Sequence, residues 1–332
     1  MIMQENTLMV QARGLCRTFV VKGRGAEKIV EAVRSLDLAV YAGEIFGLLG
    51  PNGAGKTTTM RMLCTLLKPT AGTITIAGYN LTNQQDQIRK HIGYVGQKGG
   101  MERRATGRTN LIFQAELYGM KNQQACERAD QVIKQLHLES YADRKVETYS
   151  GGQRRIFDLA AGIIHTPKLL FLDEPSTGLD PKSRSYVWQA VQQLNQAGTT
   201  VVLTTHYLEE ADALCDRVAI VDRGQLVALD TPAELKRKIA GDIITMSFNN
   251  VDHVQQAANL FKQQMFVKEL QLQDVSVLLY VDNGDESLPA SIALMHQHAL
   301  PIKTVRLSRP TLDDVFLKLT GHSLTNTEGG LT

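Results

Sequence analysis

The run Gly50-Pro51-Asn52-Gly53-Ala54-Gly55-Lys56-Thr57 has the residue types and order of a loop that holds nucleotide phosphates. Its glycines let the backbone curl so that consecutive N–H groups point inward at oxygen atoms, and a helix starting behind them adds partial positive charge. Lys56 is spaced to reach the β- and γ-phosphates, Thr57 to ligate Mg2+ through its hydroxyl, and Thr58 to continue the phosphate-binding turn. A second chemical signal lies in Leu169-Leu170-Phe171-Leu172-Asp173-Glu174, where four apolar residues deliver two carboxylates. Asp173 suits Mg2+ coordination, and Glu174 suits polarising an attacking water. By itself an apolar run ending in acids is weak evidence, because many strands end in solvated carboxylates. Paired with the phosphate loop it becomes strong. Third, Tyr149-Ser150-Gly151-Gly152-Gln153 precedes the amphipathic segment Arg154–Ile164, which makes a second anion-binding helix start. A chain with one complete phosphate loop does not need another, so this segment suggests service to a nucleotide held by a second copy.

The elements that must position these residues follow from periodicity. Glu44–Leu49 reads as a buried strand ahead of the loop, and Lys56–Leu67 as a helix with Met60, Leu63, Leu66 and Leu67 on one face. Further strands are expected at Leu8–Val21, Ile29–Val40, Thr73–Ile76, His91–Val95, Lys168–Leu172, Thr199–Thr204 and Arg217–Val221, with a polar loop at Lys22–Lys28. Helical spacing fills much of the remainder, as in Gln124–Leu138. That alternation predicts an α/β core with a largely parallel sheet over residues 8–231 and a mostly helical insertion at about 100–165. The N-terminal strands are expected to pair antiparallel at its edge.

Composition shifts near Asp230-Thr231-Pro232. The order strand, helix, strand, strand, helix, strand over residues 232–321 predicts a small α+β, ferredoxin-like domain, with Met246 and Phe266 in its core. A last helix carries Leu312, Val315, Phe316 and Leu319 as its apolar stripe, and residues 322–332 read as a disordered polar tail.

Taken together these motifs resemble the ATP-binding cassette (ABC) family over nearly the whole chain. Gly50–Thr57 is similar to its Walker A loop and Leu169–Asp173 to Walker B, with Glu174 as the catalytic carboxylate. Ser150–Gln153 matches the signature LSGGQ with Tyr149 in place of its leading Leu. Ser176-Thr177-Gly178-Leu179-Asp180 matches the D-loop, and His206 the switch histidine. Gln97, after Ile92-Gly93-Tyr94-Val95, matches the Q-loop glutamine, a residue of both catalysis and the metal site. Phe19 is the candidate for stacking on adenine. The ending Ser308-Arg309-Pro310-Thr311-Leu312-Asp313-Asp314-Val315-Phe316-Leu317 is similar to the daunorubicin-resistance-like exporter branch. Two departures stand in the region expected to meet a membrane partner: Asn110 replaces an acid, and Lys98–Arg104 is unusually basic and glycine-rich.

The resemblance implies an ATPase that uses ATP and Mg2+ and pairs with a second copy of itself. It also implies a separately encoded permease of about six helices, energised for efflux from the cytoplasmic face of the membrane, with the C-terminal domain bracing the dimer. A soluble ABC ATPase remodelling a macromolecule and an importer ATPase are the alternative readings. With a net charge of +2 across 332 residues, no basic field advertises a nucleic-acid partner. Apolar content of 43% suits a chain that buries a proper core, and no apolar run approaches the ~18 residues of a membrane span. Cys16, Cys64, Cys126 and Cys215 are scattered, as expected of reduced thiols.

Overall fold

The computed structural model describes residues 7–22, 27–237 and 241–322. The chain divides into two compact units between Leu229 and Asp230. In the first, β1 (Leu8–Lys22) and β2 (Glu27–Tyr41) form a long antiparallel hairpin whose register runs from Leu8 opposite Tyr41 to Lys22 opposite Glu27. Of the loop expected at Lys22–Lys28, Lys22, Glu27 and Lys28 belong to the paired strands, and residues 23–26 lie outside the described residues. The chain then runs through β3 (Ile45–Leu49), α1 (Lys56–Leu63), β4 (Ala71–Ile76), β5 (Tyr79–Asn80), α2 (Gln85–His91) and β6 (Ile92–Val95). A helical stretch follows with α3 (Gly107–Leu117), α4 (Asn122–Gln135) and α5 (Gly151–Gly162). After it come β7 (Leu169–Asp173), α6 (Pro181–Gln196), β8 (Thr200–Thr205), α7 (Leu208–Leu214), β9 (Arg217–Asp222) and β10 (Gln225–Asp230).

Six strands make one sheet in the order β10-β9-β3-β8-β7-β6, with β9, β3, β8, β7 and β6 mutually parallel. Every residue of β3, β7 and β8 is buried, which is why these strands read as continuous apolar runs rather than alternating ones. The N-terminal hairpin does not extend this sheet. It joins β4 and β5 in a separate antiparallel sheet ordered β2-β1-β4-β5. The main core lies where Val10, Leu36, Leu38 and Ile76 of that sheet meet Phe46, Leu48 and Phe171 of the parallel one, with Met60 and Met62 of α1 among them. Helix α1 is shorter than its periodicity predicts. Thr65 adopts a left-handed φ of 61° and turns the chain, leaving Leu66 exposed instead of on the apolar face.

The second unit contains α8 (Pro232–Leu235), β11 (Asp242–Ser247), α9 (Val251–Phe261), β12 (Val267–Gln273), β13 (Ser276–Val281), α10 (Gly284–Gln297), β14 (Thr304–Ser308) and α11 (Leu312–Thr320). Its four strands pair antiparallel in the order β12-β13-β11-β14, the ferredoxin-like arrangement expected from the sequence. Ile244, Met246, Phe261, Val277 and Leu279 form its core, with Phe266 packed at the margin. Thr311 caps α11 through a reciprocal pair with Asp314, and Gly321 ends it at φ 78°. The tail expected over 322–332 falls outside the described residues, apart from His322. No helix among the described residues is long and apolar enough to cross a membrane.

Candidate active site

Because β3, β8 and β7 are neighbours and parallel, the segments leaving their C-terminal ends share one edge of the sheet. That edge collects Gly50–Thr57, His206 and Asp173–Glu174. The glycines at 50 and 55 are steric requirements. A Cβ at 50 would lie 2.1 Å from the Val221 carbonyl oxygen, and one at 55 would lie 2.4 Å from that of Ala32, where φ is also +99°. Gly53, at φ 83°, supplies the remaining left-handed turn. Lys56 is only 5% exposed, and its Nζ donates to the carbonyls of Gly50 (2.6 Å) and Pro51 (3.0 Å). Burial lowers its pKa, while Glu174 and Asp173 act in the opposite sense.

Thr57 Oγ1 donates to Asp173 Oδ1 at 3.2 Å, and Thr204 Oγ1 donates to the same oxygen at 2.6 Å. Thus the hydroxyl and the carboxylate nominated for one metal ion stand in contact, with Asp173 1% exposed. A hydroxyl and a carboxylate are hard oxygen donors of the kind Mg2+ takes when phosphate oxygens and water supply the rest. Thr58 sits half-buried on the first turn of α1.

Glu174 adopts φ 48°, a strained conformation for a residue with a side chain. Its N–H donates to the Thr204 carbonyl at 3.1 Å. One carboxylate oxygen lies 3.3 Å from His206 Nδ1 and 3.9 Å from Lys56 Nζ, and Thr177 Oγ1 donates to the other at 3.2 Å. The contact with His206 holds the Glu174 pKa below its ordinary value against the opposing effect of burial. The His206 ring packs on Tyr207, centroids 4.2 Å apart.

A second group forms around the starts of α5 and α6. Ser150 Oγ accepts from the Gln153 N–H at 3.2 Å, while Gln153 Oε1 accepts from the Ser150 N–H at 3.0 Å, which closes a capping box. Gly152 faces α6 so closely that a Cβ there would lie 2.6 Å from Ser183 Oγ, and Gly151 faces Leu179. Asp180 caps α6 by accepting from the Ser183 N–H (3.0 Å) and hydroxyl (2.6 Å), which lowers its pKa. Tyr149 fills the place of an aliphatic residue as an anchor: it is buried against Tyr141 and Phe157, and its hydroxyl donates to the Tyr141 carbonyl at 2.7 Å. Among the described residues, no hydrogen bond or ion pair joins Ser150–Gln153 or Asp180 to Gly50–Thr57.

Gln97 lies exposed two residues past β6, whose Val95 pairs with Leu172 of β7, so it leaves the sheet beside the strand that ends in Asp173. Phe19 is half-buried and pairs with Val30 in the hairpin, with the Arg17 guanidinium 4.6 Å over its ring. The same hairpin supplies Ala32, whose carbonyl faces Gly55.

Two residues escaped the sequence reading. Thr204 links Asp173 to the Glu174 backbone. Buried Arg155 of α5 donates to the carbonyls of Gly96 (2.7 Å), Pro175 (2.8 Å), Asp173 (3.0 Å) and Glu174 (3.3 Å), so one side chain joins three segments. Asn110, noted as a departure, accepts from the Glu102 N–H at 2.8 Å and donates to the carbonyls of Thr106 (2.8 Å) and Glu102 (3.1 Å). A carboxylate could not donate those bonds. Asn110 thereby pins the Lys98–Arg104 loop beside a groove of about 320 Å³ that also holds Tyr94, Phe113, Leu117, Tyr118 and Asp158.

Comparison with known proteins adds to this geometry. Residues 33–177 match the family model described as ABC transporter, and residues 231–320 match the ATP-binding protein DrrA1-3-like C-terminal domain. The chain is 42% identical to the daunorubicin/doxorubicin resistance ATP-binding protein DrrA of Streptomyces peucetius, covering 88% of each. It is 34% identical to the linearmycin resistance ATP-binding protein LnrL of Bacillus subtilis, over 88% of this chain and 94% of that one. With the Nod factor export ATP-binding protein I of Burkholderia lata the identity is 36%, over 92% and 96%. A solved dimeric ATP-binding cassette in a post-hydrolysis state, bound to ADP and phosphate, superposes with a TM-score of 0.60 at 26% identity, over 67% of this chain and 98% of that chain.

Proposed function

This chain belongs to the ABC transporter family as an ATP-hydrolysing subunit of the daunorubicin-resistance-like branch, and on that premise we propose how its residues share the work. The phosphates of ATP lie in the cradle of Gly50, Pro51, Asn52, Gly53, Ala54 and Gly55, with Lys56 turning from its two carbonyl partners toward them and Thr58 completing the turn. Thr57 and Asp173, with Gln97, hold Mg2+, which when bound neutralises charge on the phosphate oxygens. Glu174, kept ionised by His206 and Lys56, orients water for attack on the terminal phosphate. Phe19 faces the adenine once the Arg17 guanidinium has moved aside. The observation that carries this reading is the convergence of Lys56, Thr57, Asp173, Glu174 and His206 within hydrogen-bond or ion-pair reach at one sheet edge.

Ser150–Gln153 and Asp180 serve the nucleotide of a second copy, so that two chains enclose two ATP molecules. That no bond among the described residues joins them to the phosphate loop of their own chain supports this, as does the likeness to a dimeric cassette. The partner in the membrane is a separately encoded permease of about six helices, met through the groove beside Asn110 with its exposed Phe113, Leu117 and Tyr118. The cassette then works on the cytoplasmic face and energises efflux. Relatives named for resistance and export, matched over most of their length, support efflux over import or macromolecular remodelling. Fractionation tests the assignment: the chain should sediment with membranes when its permease is co-expressed and stay in the supernatant without it. Membrane association independent of any such partner would contradict it.

A further inference from the structure

A buried cation stands behind the hydrolytic group and takes no part in the chemistry assigned to it. Arg155 lies one turn beyond Ser150–Gln153 on α5 and is 7% exposed. Each hydrogen bond it makes among the described residues goes to a backbone carbonyl. Its Nε donates to Pro175 at 2.8 Å, and one terminal nitrogen donates to Asp173 at 3.0 Å and Glu174 at 3.3 Å. The other terminal nitrogen donates to Gly96 at 2.7 Å. Burying a cation on neutral oxygens carries a desolvation cost that an apolar side chain would spare. What the guanidinium adds is a planar fork of donors in fixed directions.

Three of the carbonyls it gathers are consecutive. Along a strand successive residues alternate in direction, so those of Asp173, Glu174 and Pro175 meet one group only because the chain bends as it leaves β7. Glu174 makes that bend at φ 48°, a conformation that persists only where the surroundings over-determine it. Thr204 holds the Glu174 N–H through its carbonyl at 3.1 Å and its hydroxyl at 3.0 Å. Arg155 holds the carbonyl of the same residue and those of both its neighbours. Fixing the backbone there fixes the direction in which the Glu174 side chain leaves it, toward His206 at 3.3 Å. The fourth bond supplies an anchor. Gly96 follows β6, which runs parallel to β7 with Val95 opposite Leu172, so the fork spans the exits of two neighbouring strands.

We propose that Arg155 is a positioning residue for ATP hydrolysis: it gathers the carbonyls of residues 173–175 and anchors them to Gly96, so that the Glu174 carboxylate stays aimed at the attacking water. It acts through the Glu174 backbone rather than on the nucleotide. The inference rests on the assignment of Glu174 to hydrolysis, and the test separates the two.

Steady-state and single-turnover ATPase kinetics of the full chain are compared for wild type, Arg155→Ala, Arg155→Lys, Glu174→Gln and the double variant Arg155→Ala with Glu174→Gln, each checked for folding by thermal melting. Arg155→Ala should lower kcat about tenfold or more with KM for ATP held within about twofold, because misalignment costs turnover rather than uniform binding. Arg155→Lys keeps the charge, but a compact ammonium cannot span four carbonyls, and kcat should still fall at least about threefold at unchanged KM. In the Glu174→Gln background the loss of Arg155 should cost less than about twofold more, because the carboxylate it aims is already gone. A general loosening of the site would slow both backgrounds by the same factor. Wild-type kcat in either single Arg155 variant, a loss expressed in KM, or equal losses in the two backgrounds would each overturn the proposal. Where Arg155→Ala does not fold, the same outcomes are read from Arg155→Lys, alone and combined with Glu174→Gln. Retained turnover in Glu174→Gln would remove the underlying assignment, whereas an inactive Glu174→Gln beside a fully active Arg155→Ala removes this inference alone.

Discussion

Two carboxylates of the first unit are pushed in opposite directions, and each shift carries a consequence. Glu174 is drawn below its ordinary pKa by His206, so it remains charged through mild acid and is available to water at neutral pH. Replacing it by Gln keeps the shape and removes the negative charge. Turnover should fall about 10²- to 10⁴-fold, the usual worth of a general base, while ATP is still bound. Phosphate release and nucleotide binding measured on the same sample would show this, and normal release would take Glu174 out of the mechanism. Asp158 shows the reverse. Burial under the Gly99–Gly100 loop raises its pKa from 3.8 to about 6, despite attraction from Arg155 and Arg154. Between those values the folded chain binds the extra proton, so stability falls as pH rises through that window and the cost is fully present at pH 7. Asp158→Asn should remove that slope and stabilise the protein at pH 7 by up to about 3 kcal/mol, with no gain near pH 4. Urea unfolding at the two pH values would measure it, and equal changes at both would exclude the titration of Asp158 as the cause.

Among the elements, the joint between α5 and α6 is the tightest near the second group. Gly152 touches Ser183 with no room for a Cβ, whereas Gly151 has only the flexible end of Leu179 nearby. Gly152→Ala should therefore force the helices apart and cost about 1–3 kcal/mol, as overpacking does elsewhere. Gly151→Ala should cost less, and thermal melting of the pair gives the comparison. This joint also shows what was legible in the sequence. The phosphate loop, the acids ending β7 and the capping segment were readable because each is a consecutive run whose chemistry is local. The parallel core was readable because fully buried strands leave unbroken apolar runs. The separate N-terminal sheet was not, since strand pairing between Val10 and Ile76 is a long-range choice that neither strand announces. Arg155 was hidden for a related reason: on an amphipathic helix a buried charge looks like a solvated one until partners from distant segments surround it. The early end of α1 rests on the single left-handed residue Thr65, a β-branched side chain that gives no warning of it.

Across the whole molecule, the chain holds one phosphate loop and one Ser150 segment, and no bond among the described residues joins them. If both grip nucleotide, a second copy is needed, and a two-fold pair satisfies both loops and both segments with identical contacts. Such a pair closes around ATP and loses its reason to stay closed when the terminal phosphate is cleaved. A variant that binds ATP without cleaving it should then accumulate as the dimer. Glu174→Gln with Mg-ATP should sediment at twice the monomer mass, and without nucleotide it should return to the monomer. Adding Ser150→Arg should abolish the dimer while the single chain still binds ATP, because the bulky cation intrudes on the facing loop and leaves its own Lys56 untouched. Loss of its capping hydroxyl costs only about 1 kcal/mol of helix stability, too little to explain a failure to pair by unfolding. A strictly monomeric mass for Glu174→Gln at saturating Mg-ATP, with the permease present as well as absent, would mean that Ser150–Gln153 is no more than the capping box of α5.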